Sequence, residues 1–513
     1  MRKDSSMGCL HADKLLQSPS NHKHNGSLSQ LSDNETEVLL DQSRSVEVSN
    51  HGSTSGHTAS INRGSADFDA SSKKMRAKPV TYWSFFLTIP MYVAYAVLLK
   101  LQSHLRSHLF VSNTERMSAG TSACLEKDVA PDGQHFINGP HSEAAYIFGL
   151  CVSFYYVGCF IFRIGHNLLL GWKLNVSPKN RVVVGYLGMA MVMLLIVCLF
   201  YVIFPAPSDG LTTTANDVHR KPYVMIGVLV CYFMAGASFA TWEPNVLSTL
   251  TPHGHRDKML AIAAVPTATN TLACTTLLVL GYATTCALQQ KVEIGMYCSA
   301  AVLCMFGAFI FLWKIPRIRF EASDDDAKAF VSHLKQWRHW VPEMKWCLVA
   351  AVLDEITLSM SIAIGQYIYG VDKVPLLYPF VALDAPNQAL LDHDHFLVVF
   401  FFCGFLGGTI SRFVAYTLKE RNPCWYILIN VLGILCILSK VAIFAPLGMF
   451  FIMAGNGFVY ASIARYIDNN VAKEYNLVAI SVWLCCADIG GFSGANAVVP
   501  IHASLGSVGH GVF

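Results

Sequence analysis

The sequence predicts an all-α polytopic membrane protein, and three features of the chain support that fold class. Of its 513 residues, 53% are hydrophobic and only 14% are charged, whereas an ordinary soluble protein is about 25% charged. Several apolar stretches exceed the roughly 18 residues that mark a membrane-spanning helix. Lysine and arginine are concentrated in alternate loops between those stretches, as expected of loops that face the cytoplasm.

The apolar stretches predict about eleven transmembrane helices in a six-plus-five arrangement. They cover approximately residues 82–103, 143–169, 182–204, 222–248, 258–285, 294–315, 346–369, 395–418, 424–443, 446–466 and 476–504. The basic cluster Lys73–Lys78 directly precedes the first stretch. By the positive-inside rule it predicts a cytoplasmic N-terminus, and an odd number of spans then predicts a C-terminus on the opposite side.

Composition divides the chain into four regions. Residues 1–78 are rich in Ser, Asn, His and Gly and are predicted to be a disordered cytoplasmic segment, because they carry too little apolar surface to offset the entropy of ordering. Residues 79–315 are predicted to form a six-helix bundle, 316–345 a cytoplasmic loop, and 346–513 a five-helix bundle. Within that loop, His333–Trp340 fits either a short interfacial helix or a solvated linker.

Two patterns outside the spans suggest sorting and cross-linking. Glu35, Leu39 and Leu40 fit the acidic dileucine pattern E-x-x-x-L-L, which is either a signal for sorting adaptors or a chance match. Cys124 and Cys286 fall in loops predicted to be exoplasmic, where a disulfide between them is one interpretation. Most of the other cysteines lie in apolar segments and are expected to be buried and reduced.

The fourth predicted span contains an acid in an unusual setting. Glu243 lies between Trp242 and Pro244, a couple of turns before the next loop and therefore below the membrane surface. Proline frees a backbone carbonyl and tends to kink the helix. A charged side chain at that depth is costly and marks a functional site by default. We interpret Glu243, beside this kink and the indole of Trp242, as a substrate or proton site.

The seventh predicted span carries two adjacent acids, Asp354 and Glu355. Neighbouring residues on a helix point about 100° apart, so we expect at most one of the two to face a central cavity. Each acid has a hydroxyl within reach on its own face, from Thr357 and Ser359 respectively. The pattern does not choose between them, and Asp354 is selected only narrowly.

The remaining candidate binding residues lie in the last four predicted spans. Arg412 can donate several hydrogen bonds in a fixed fork to an anionic group or a pair of sugar hydroxyls. Asn456 lies in the tenth span and Asp488 in the eleventh, where Asp488 is a candidate partner for Arg412. Glu243 or Asp488 would carry the proton if transport is coupled. In the second span, Arg163 and His166 are interpreted as snorkelling to the interface.

The sequence argues against enzymatic and metal chemistry. His253–His255 and Asp392–His395 could be interpreted as metal sites, but both are short polar loops without a third ligand set, and we interpret them as solvated segments. They fall on opposite faces of the membrane, so they do not assemble one catalytic constellation. We therefore expect no cofactor and no metal. A net charge of +3 gives no reason to expect a nucleic-acid partner.

Several motifs resemble the equilibrative nucleoside transporter family. They are Arg181–Gly185 at the start of the third span, Ile315–Phe320 at the end of the sixth, and Asn456–Phe458 in the tenth. The chain departs from the family at Gly408, where members usually carry an aspartate four residues before the arginine. It also lacks the family's Pro-Trp-Asn in the first span. The last two spans are similar to battenin-type membrane proteins as well.

The resemblance implies an architecture similar to the major facilitator carriers and a multi-pass transporter of nucleosides or nucleobases. Transport would proceed by alternating access, with or without proton coupling, in the plasma membrane or an endosomal or lysosomal membrane. A battenin-like carrier of another small polar solute is the first alternative. A receptor or scaffold that transports nothing is the alternative of another class.

Overall fold

The computed structural model describes residues 82–100, 127–129, 135–137, 143–169, 176–203, 215–281, 286–315, 327–369, 373–378, 380–381 and 389–502. Some predictions concern parts of the chain outside the described residues. They are the predictions for the N-terminal segment, for the dileucine residues Glu35, Leu39 and Leu40, and for the side chains of Cys124 and Cys286. The part of the chain from Lys73 onward forms one compact unit.

Twelve α-helices are present in the described residues. They are α1 Tyr82–Lys100, α2 Glu143–His166, α3 Pro178–Val197, α4 Ala215–Leu250, α5 His255–Gly281, α6 Cys286–Lys314, α7 Ala327–Lys335, α8 Trp337–Ile368, α9 His393–Thr417, α10 Ile427–Leu438, α11 Ala445–Asn470 and α12 Asn476–His502. A π-helical turn, Cys198–Ile203, extends α3. Two short antiparallel strand pairs lie in loops, β1 Lys127–Val129 with β2 His135–Ile137, and β3 Lys373–Pro375 with β4 Leu390–Asp392.

Each of the eleven predicted spans corresponds to one helix, and the all-α polytopic membrane fold is confirmed. Eight of the described helices are long and apolar enough to cross a bilayer. Helices α5 and α8 fall outside that set, and both carry polar side chains that pack inside the bundle, where water or protein partners compensate them. Helix α10 is shorter than predicted because the chain enters it through a 3₁₀ turn, Pro423–Tyr426, and leaves it at Leu438.

The predicted cytoplasmic loop 316–345 contains more helix than expected. Helix α7 occupies Ala327–Lys335, and α8 begins at Trp337, nine residues before the predicted start of the seventh span at 346. Trp340 is buried and its indole N–H donates to the carbonyl of His333 across 3.0 Å. The helical alternative for His333–Trp340 therefore describes this segment better than a solvated linker does.

Contacts between α1–α6 and α8–α12 are made mainly by two helix pairs, α2 with α12 and α5 with α9. Helix α2 also packs closely on α4, where a Cβ at Gly158 would overlap the carbonyl oxygen of Phe233 and one at Gly236 would overlap that of Tyr155. Small residues allow such close approach of helices in membranes. These contacts hold α2 in place between α4 on one side and α12 on the other.

This packing predicts that Gly158→Ala lowers thermal stability. The added methyl must displace backbone, which typically costs about 1–3 kcal/mol in a packed core. Gly149→Ala, on the same helix, is the matched control because nothing lies within 4 Å of its Cβ position, and alanine favours helix over glycine by about 1 kcal/mol. Thermal unfolding of the two purified variants in detergent should give opposite or clearly unequal shifts. Equal shifts would contradict the close α2–α4 packing.

Candidate functional site

Arg163 of α2 lies at the centre of a buried network of charges. Its Nε donates to Asp488 Oδ2 across 2.7 Å and its Nη2 to Asp488 Oδ1 across 3.3 Å. Its Nη1 lies 2.7 Å from Glu243 Oε2. All three residues are buried: Arg163 is 2% exposed, Asp488 7% and Glu243 4%. One guanidinium therefore compensates two carboxylates, one on α4 and one on α12.

Two tyrosines complete the environment of Glu243. Its Oε1 accepts hydrogen bonds from the hydroxyls of Tyr92 at 2.6 Å and Tyr460 at 2.7 Å. Tyr92 belongs to α1 and Tyr460 to α11, so the network joins α1, α2 and α4 to α11 and α12. These hydrogen bonds stabilise the second carboxylate, which the single arginine does not fully neutralise.

The interpretation of Arg163 and His166 as snorkelling residues is wrong. Both are buried, and each has a polar partner on a neighbouring helix. His166 Nδ1 lies 2.7 Å from the carbonyl oxygen of Phe162, which can only accept a hydrogen bond. Its Nε2 lies 2.9 Å from Asn245 Nδ2, which can donate to it. A neutral imidazole satisfies both contacts.

A second network lies within α8–α11. Asp354 accepts from Asn430 Nδ2 at 2.7 Å and from Asn456 Nδ2 at 2.9 Å. Asn456 Oδ1 in turn accepts from Arg412 Nη2 at 2.9 Å, and Arg412 Nη1 donates to the Gly408 carbonyl at 3.1 Å. Asp354 and Arg412 are thus linked through Asn456. The candidate pairing of Arg412 with Asp488 is not formed, since Asp488 is held by Arg163.

Tyr460 connects the two networks. Its hydroxyl donates to Glu243, while the Arg412 guanidinium carbon lies 5.7 Å from the centroid of its ring. That distance is within the range of a cation–π contact. A movement of α11 would therefore change the surroundings of Glu243 and Arg412 together.

The two adjacent acids of α8 have different environments. Asp354 is inside the second network, whereas the Glu355 carboxylate has no hydrogen bond or ion pair among the described residues. The hydroxyls of Thr357 and Ser359 donate to the backbone carbonyls of Asp354 and Glu355, and neither donates to a carboxylate. Although each hydroxyl is within reach of its acid on the helix face, neither is a partner of that carboxylate. Hydroxyls on a helix readily bond the carbonyl of the preceding turn.

A very small cavity lies beside Glu243. It is lined by Glu243, four aromatic or polar residues and an apolar wall, as follows: Thr88, Tyr92, Trp242, Glu243, Val246, Leu247, Ala261, Ile262, Val265 and Tyr460. Its volume of about 10 Å³ is close to the least that holds one water. Trp242 is buried and meets Tyr92 edge to face, with ring centroids 5.8 Å apart. The site is closed, and a solute needs α4, α5 and α11 to separate.

A further ion pair closes the end of the bundle predicted to face the cytoplasm. Lys258 Nζ, at the start of α5, donates to both carboxylate oxygens of Asp468 at 2.7 and 2.8 Å. Asp468 Oδ1 also accepts from Thr251 at 3.2 Å and Asn476 at 3.1 Å. Lys258 is 1% exposed. This cluster joins the 3₁₀ turn after α4, Thr251–His253, and the start of α5 to α11 and α12.

Sequence reasoning did not select Arg163, Tyr92, Tyr460, Lys258 or Asp468 as functional residues. A buried arginine in an apolar span is a usable signal, but its position near a helix end favoured snorkelling. The loop histidines His253 and His393 were interpreted as solvated, and both are buried. The His393 ring Nδ1 lies 3.0 Å from the Tyr369 carbonyl oxygen, so packing against α8 removes it from solvent.

No protein-family profile matches the chain, and no curated protein matches it in sequence. Among solved structures, it is similar to the E. coli fucose:proton symporter, with 14% identity over 83% of this chain and 94% of that one, at a TM-score of 0.47. It is also similar to the E. coli xylose transporter in a partially occluded inward-open conformation, with 10% identity over 83% and 95%, at 0.49. At this identity and score, neither neighbour identifies a substrate for this chain. The helices themselves make it an integral multi-pass membrane protein.

Proposed function

We propose that this protein is an alternating-access carrier of a small polar solute, with nucleosides and nucleobases as its substrate class. The observation that carries the proposal is the Arg163–Glu243–Asp488 network, which joins both halves of the bundle around a closed cavity. Charged groups inside a membrane are costly and mark the pathways of substrates and ions. A receptor or scaffold could hold its helices together with apolar contacts alone.

The contacts between the halves are of a kind that can open and re-form. Arg163–Asp488 and Tyr460–Glu243 join them in the middle of the bundle, and Lys258–Asp468 joins them near the predicted cytoplasmic end. Opening at that end requires Lys258 and Asp468 to separate and gain water. Rocking of one bundle against the other around the central site is how such carriers expose a solute to each side in turn.

Arg412 and an aromatic wall around Trp242 supply the substrate contacts in this proposal. Arg412 Nε is buried and has no hydrogen-bond partner among the described residues, so it can donate to a solute without breaking an existing bond. Asn456 and Asp354 hold the guanidinium in place. Trp242, with Tyr92 and Tyr460 nearby, offers the aromatic wall that a heterocyclic base requires. If Glu243 or Asp488 carried the coupling proton, as the sequence proposes, protonation would weaken its contact with Arg163.

Gly408 explains how the site differs from that of the family it resembles. A Cβ at this position would lie 2.9 Å from Cβ of Pro266 and 3.2 Å from Arg412 Nη1. An aspartate here would be beside Arg412, as in the family's pattern, but Pro266 on α5 occupies the space. In this chain Asp354 takes over the negative charge, acting through Asn456. The sequence motifs support the nucleoside class. The replacement of the family's aspartate by Gly408, with Asp354 near Arg412 instead, favours a related polar solute as the second candidate.

The test is uptake of labelled adenosine, uridine and hypoxanthine into proteoliposomes at two pH gradients, with Glu243→Gln alongside wild type. We expect saturable uptake by wild type that rises with an inward proton gradient. Loss of this pH dependence in Glu243→Gln would assign the coupling proton to Glu243, and its retention would assign the proton to another acid. Folded protein that takes up none of these three, but does take up amino acids or lysosomal metabolites, would replace the nucleoside class with the second candidate. We also propose plasma or endosomal and lysosomal membranes as its location, with the dileucine residues binding sorting adaptors.

A further inference from the structure

Negative charge exceeds positive charge around the central networks. Four carboxylates lie there, on Glu243, Asp354, Glu355 and Asp488, against the guanidinium groups of Arg163 and Arg412. Arg163 contacts Glu243 and Asp488, and Arg412 is linked to Asp354 through Asn456. The hydroxyls of Tyr92 and Tyr460 donate to Oε1 of Glu243, the carboxylate oxygen that Arg163 does not contact. Glu355 is the carboxylate that no described group compensates.

Glu355 is half-buried beside the junction of α8, α12 and α2. It lies on the side of α8 that packs on α12, where a Cβ at Gly490 would be 3.0 Å from Glu355 Cβ. The next glycine, Gly491, faces α2, and a Cβ there would be 2.6 Å from the Tyr156 hydroxyl. Helix α12 therefore packs between Glu355 of α8 and Tyr156 of α2. The contacts are made at Gly490 and Gly491, two and three residues after Asp488.

The charged and titratable groups around Glu355 come from several helices. They are Asp354 on its own helix, Asp488 on α12, Glu243 on α4, Arg412 on α9, Tyr95 on α1 and Tyr156 on α2. Three of these are acids, and the one cation is already engaged with Asn456 and Gly408. An ionised Glu355 would repel these acids, whereas a protonated Glu355 would not. Because its side chain is half-buried, water screens that repulsion only in part.

We infer that Glu355 is the residue that takes up and releases the coupling proton during transport. Protonation removes an uncompensated charge from the helix junction and lets α8 and α12 close on α2. Release requires water to reach the carboxylate when the halves separate. Glu243 and Asp488 then keep the Arg163 network intact through the cycle. This inference deepens the proposed function and rests on it for the coupling to a solute, but the proton site itself can be measured without any solute.

The first measurement is the infrared difference spectrum of the purified protein between acidic and alkaline pH. Wild type should show the C=O stretching band of a protonated carboxylic acid that disappears on deprotonation. Other carboxyl groups absorb in the same region, so the band assigned to Glu355 is the component that is present in wild type and in Glu343→Gln and is missing from Glu355→Gln. Glu343 is the matched control because it lies on the same helix, near its predicted cytoplasmic end, with an exposed side chain. The inference is overturned if the Glu355→Gln spectrum keeps every carboxylic acid band of the wild-type spectrum. It is also overturned if the wild-type spectrum contains no such band.

The second measurement separates coupling from transport in proteoliposomes. Uridine counterflow, which needs no net proton movement, should be retained in Glu355→Gln, while uptake driven by a proton gradient should fall to that of protein-free liposomes. Glu355→Asp, which keeps an acid, should recover part of the gradient-driven uptake. Loss of counterflow and driven uptake together would assign Glu355 to substrate binding and overturn the inference. A band lost in Glu355→Gln without uridine transport by wild type would leave the proton site standing and count against the nucleoside class alone.

Discussion

Arg163→Met is expected to abolish uptake and to lower the yield and melting temperature of the folded protein. The substitution removes the one cation between Glu243 and Asp488, which are both nearly fully buried. Removing one partner of a buried ion pair typically costs about 3–5 kcal/mol, because the remaining charge is left uncompensated. Here two carboxylates are left, one on each half of the bundle. Fluorescence-detected size-exclusion chromatography after heating measures the stability, and proteoliposome uptake measures function.

A charge-free variant distinguishes the stabilising role of the network from its transport role. Arg163→Met combined with Glu243→Gln and Asp488→Asn removes all three charges while keeping similar volumes. We expect it to recover most of the folded yield, since well-packed neutral groups often replace buried ion pairs without loss of stability. Transport should not return. Wild-type stability and uptake in Arg163→Met alone would show that the network has neither role.

Arg412→Ala should lose uptake while reaching the membrane at normal abundance. The substitution removes the donor to Asn456 and the unused Nε that we assign to the solute. A hydrogen bond from a charged group contributes about 1.5–3 kcal/mol, so solute affinity should fall roughly ten- to a hundredfold. Asp354 keeps its bonds from Asn430 and Asn456, which limits the loss of stability. Binding of labelled uridine to the purified variant measures the loss of affinity. Uptake of labelled uridine into proteoliposomes measures the loss of transport.

Two arginine variants serve as controls for Arg412. Arg412→Lys keeps the charge but lacks the planar fork, so it should bind the solute more weakly than wild type and retain more stability than alanine. Arg338→Ala removes an exposed arginine at the start of α8 and should behave as wild type. Uptake by Arg412→Ala that equals wild type would remove Arg412 from the substrate site.

Much of the fold could be predicted from local composition. Each of the eleven spans predicted from hydropathy falls on a helix, and eight of the described helices are long and apolar enough to cross a bilayer. Hydropathy is informative because transfer between water and lipid depends on the side chains within one segment. The same reasoning found Glu243, Asp354, Arg412 and Asp488, since a polar group in an apolar span is costly wherever its partner lies. It missed the early start of α8 and the helix in the preceding loop, where the amphipathic sequence fits water and membrane interface equally well.

The partners of those charges depended on the tertiary structure. Arg163 and Asp488 are separated by 325 positions in the chain, and only the packing of α2 on α12 brings them together. The rotation of α8 decided that Asp354 enters the Asn430–Asn456 network and that Glu355 faces the helix junction. The sequence by itself therefore determined a multi-pass helical protein with costly polar groups in its spans. Which of those groups compensate each other was decided by helix packing, because electrostatic pairing depends on distances that no local pattern encodes.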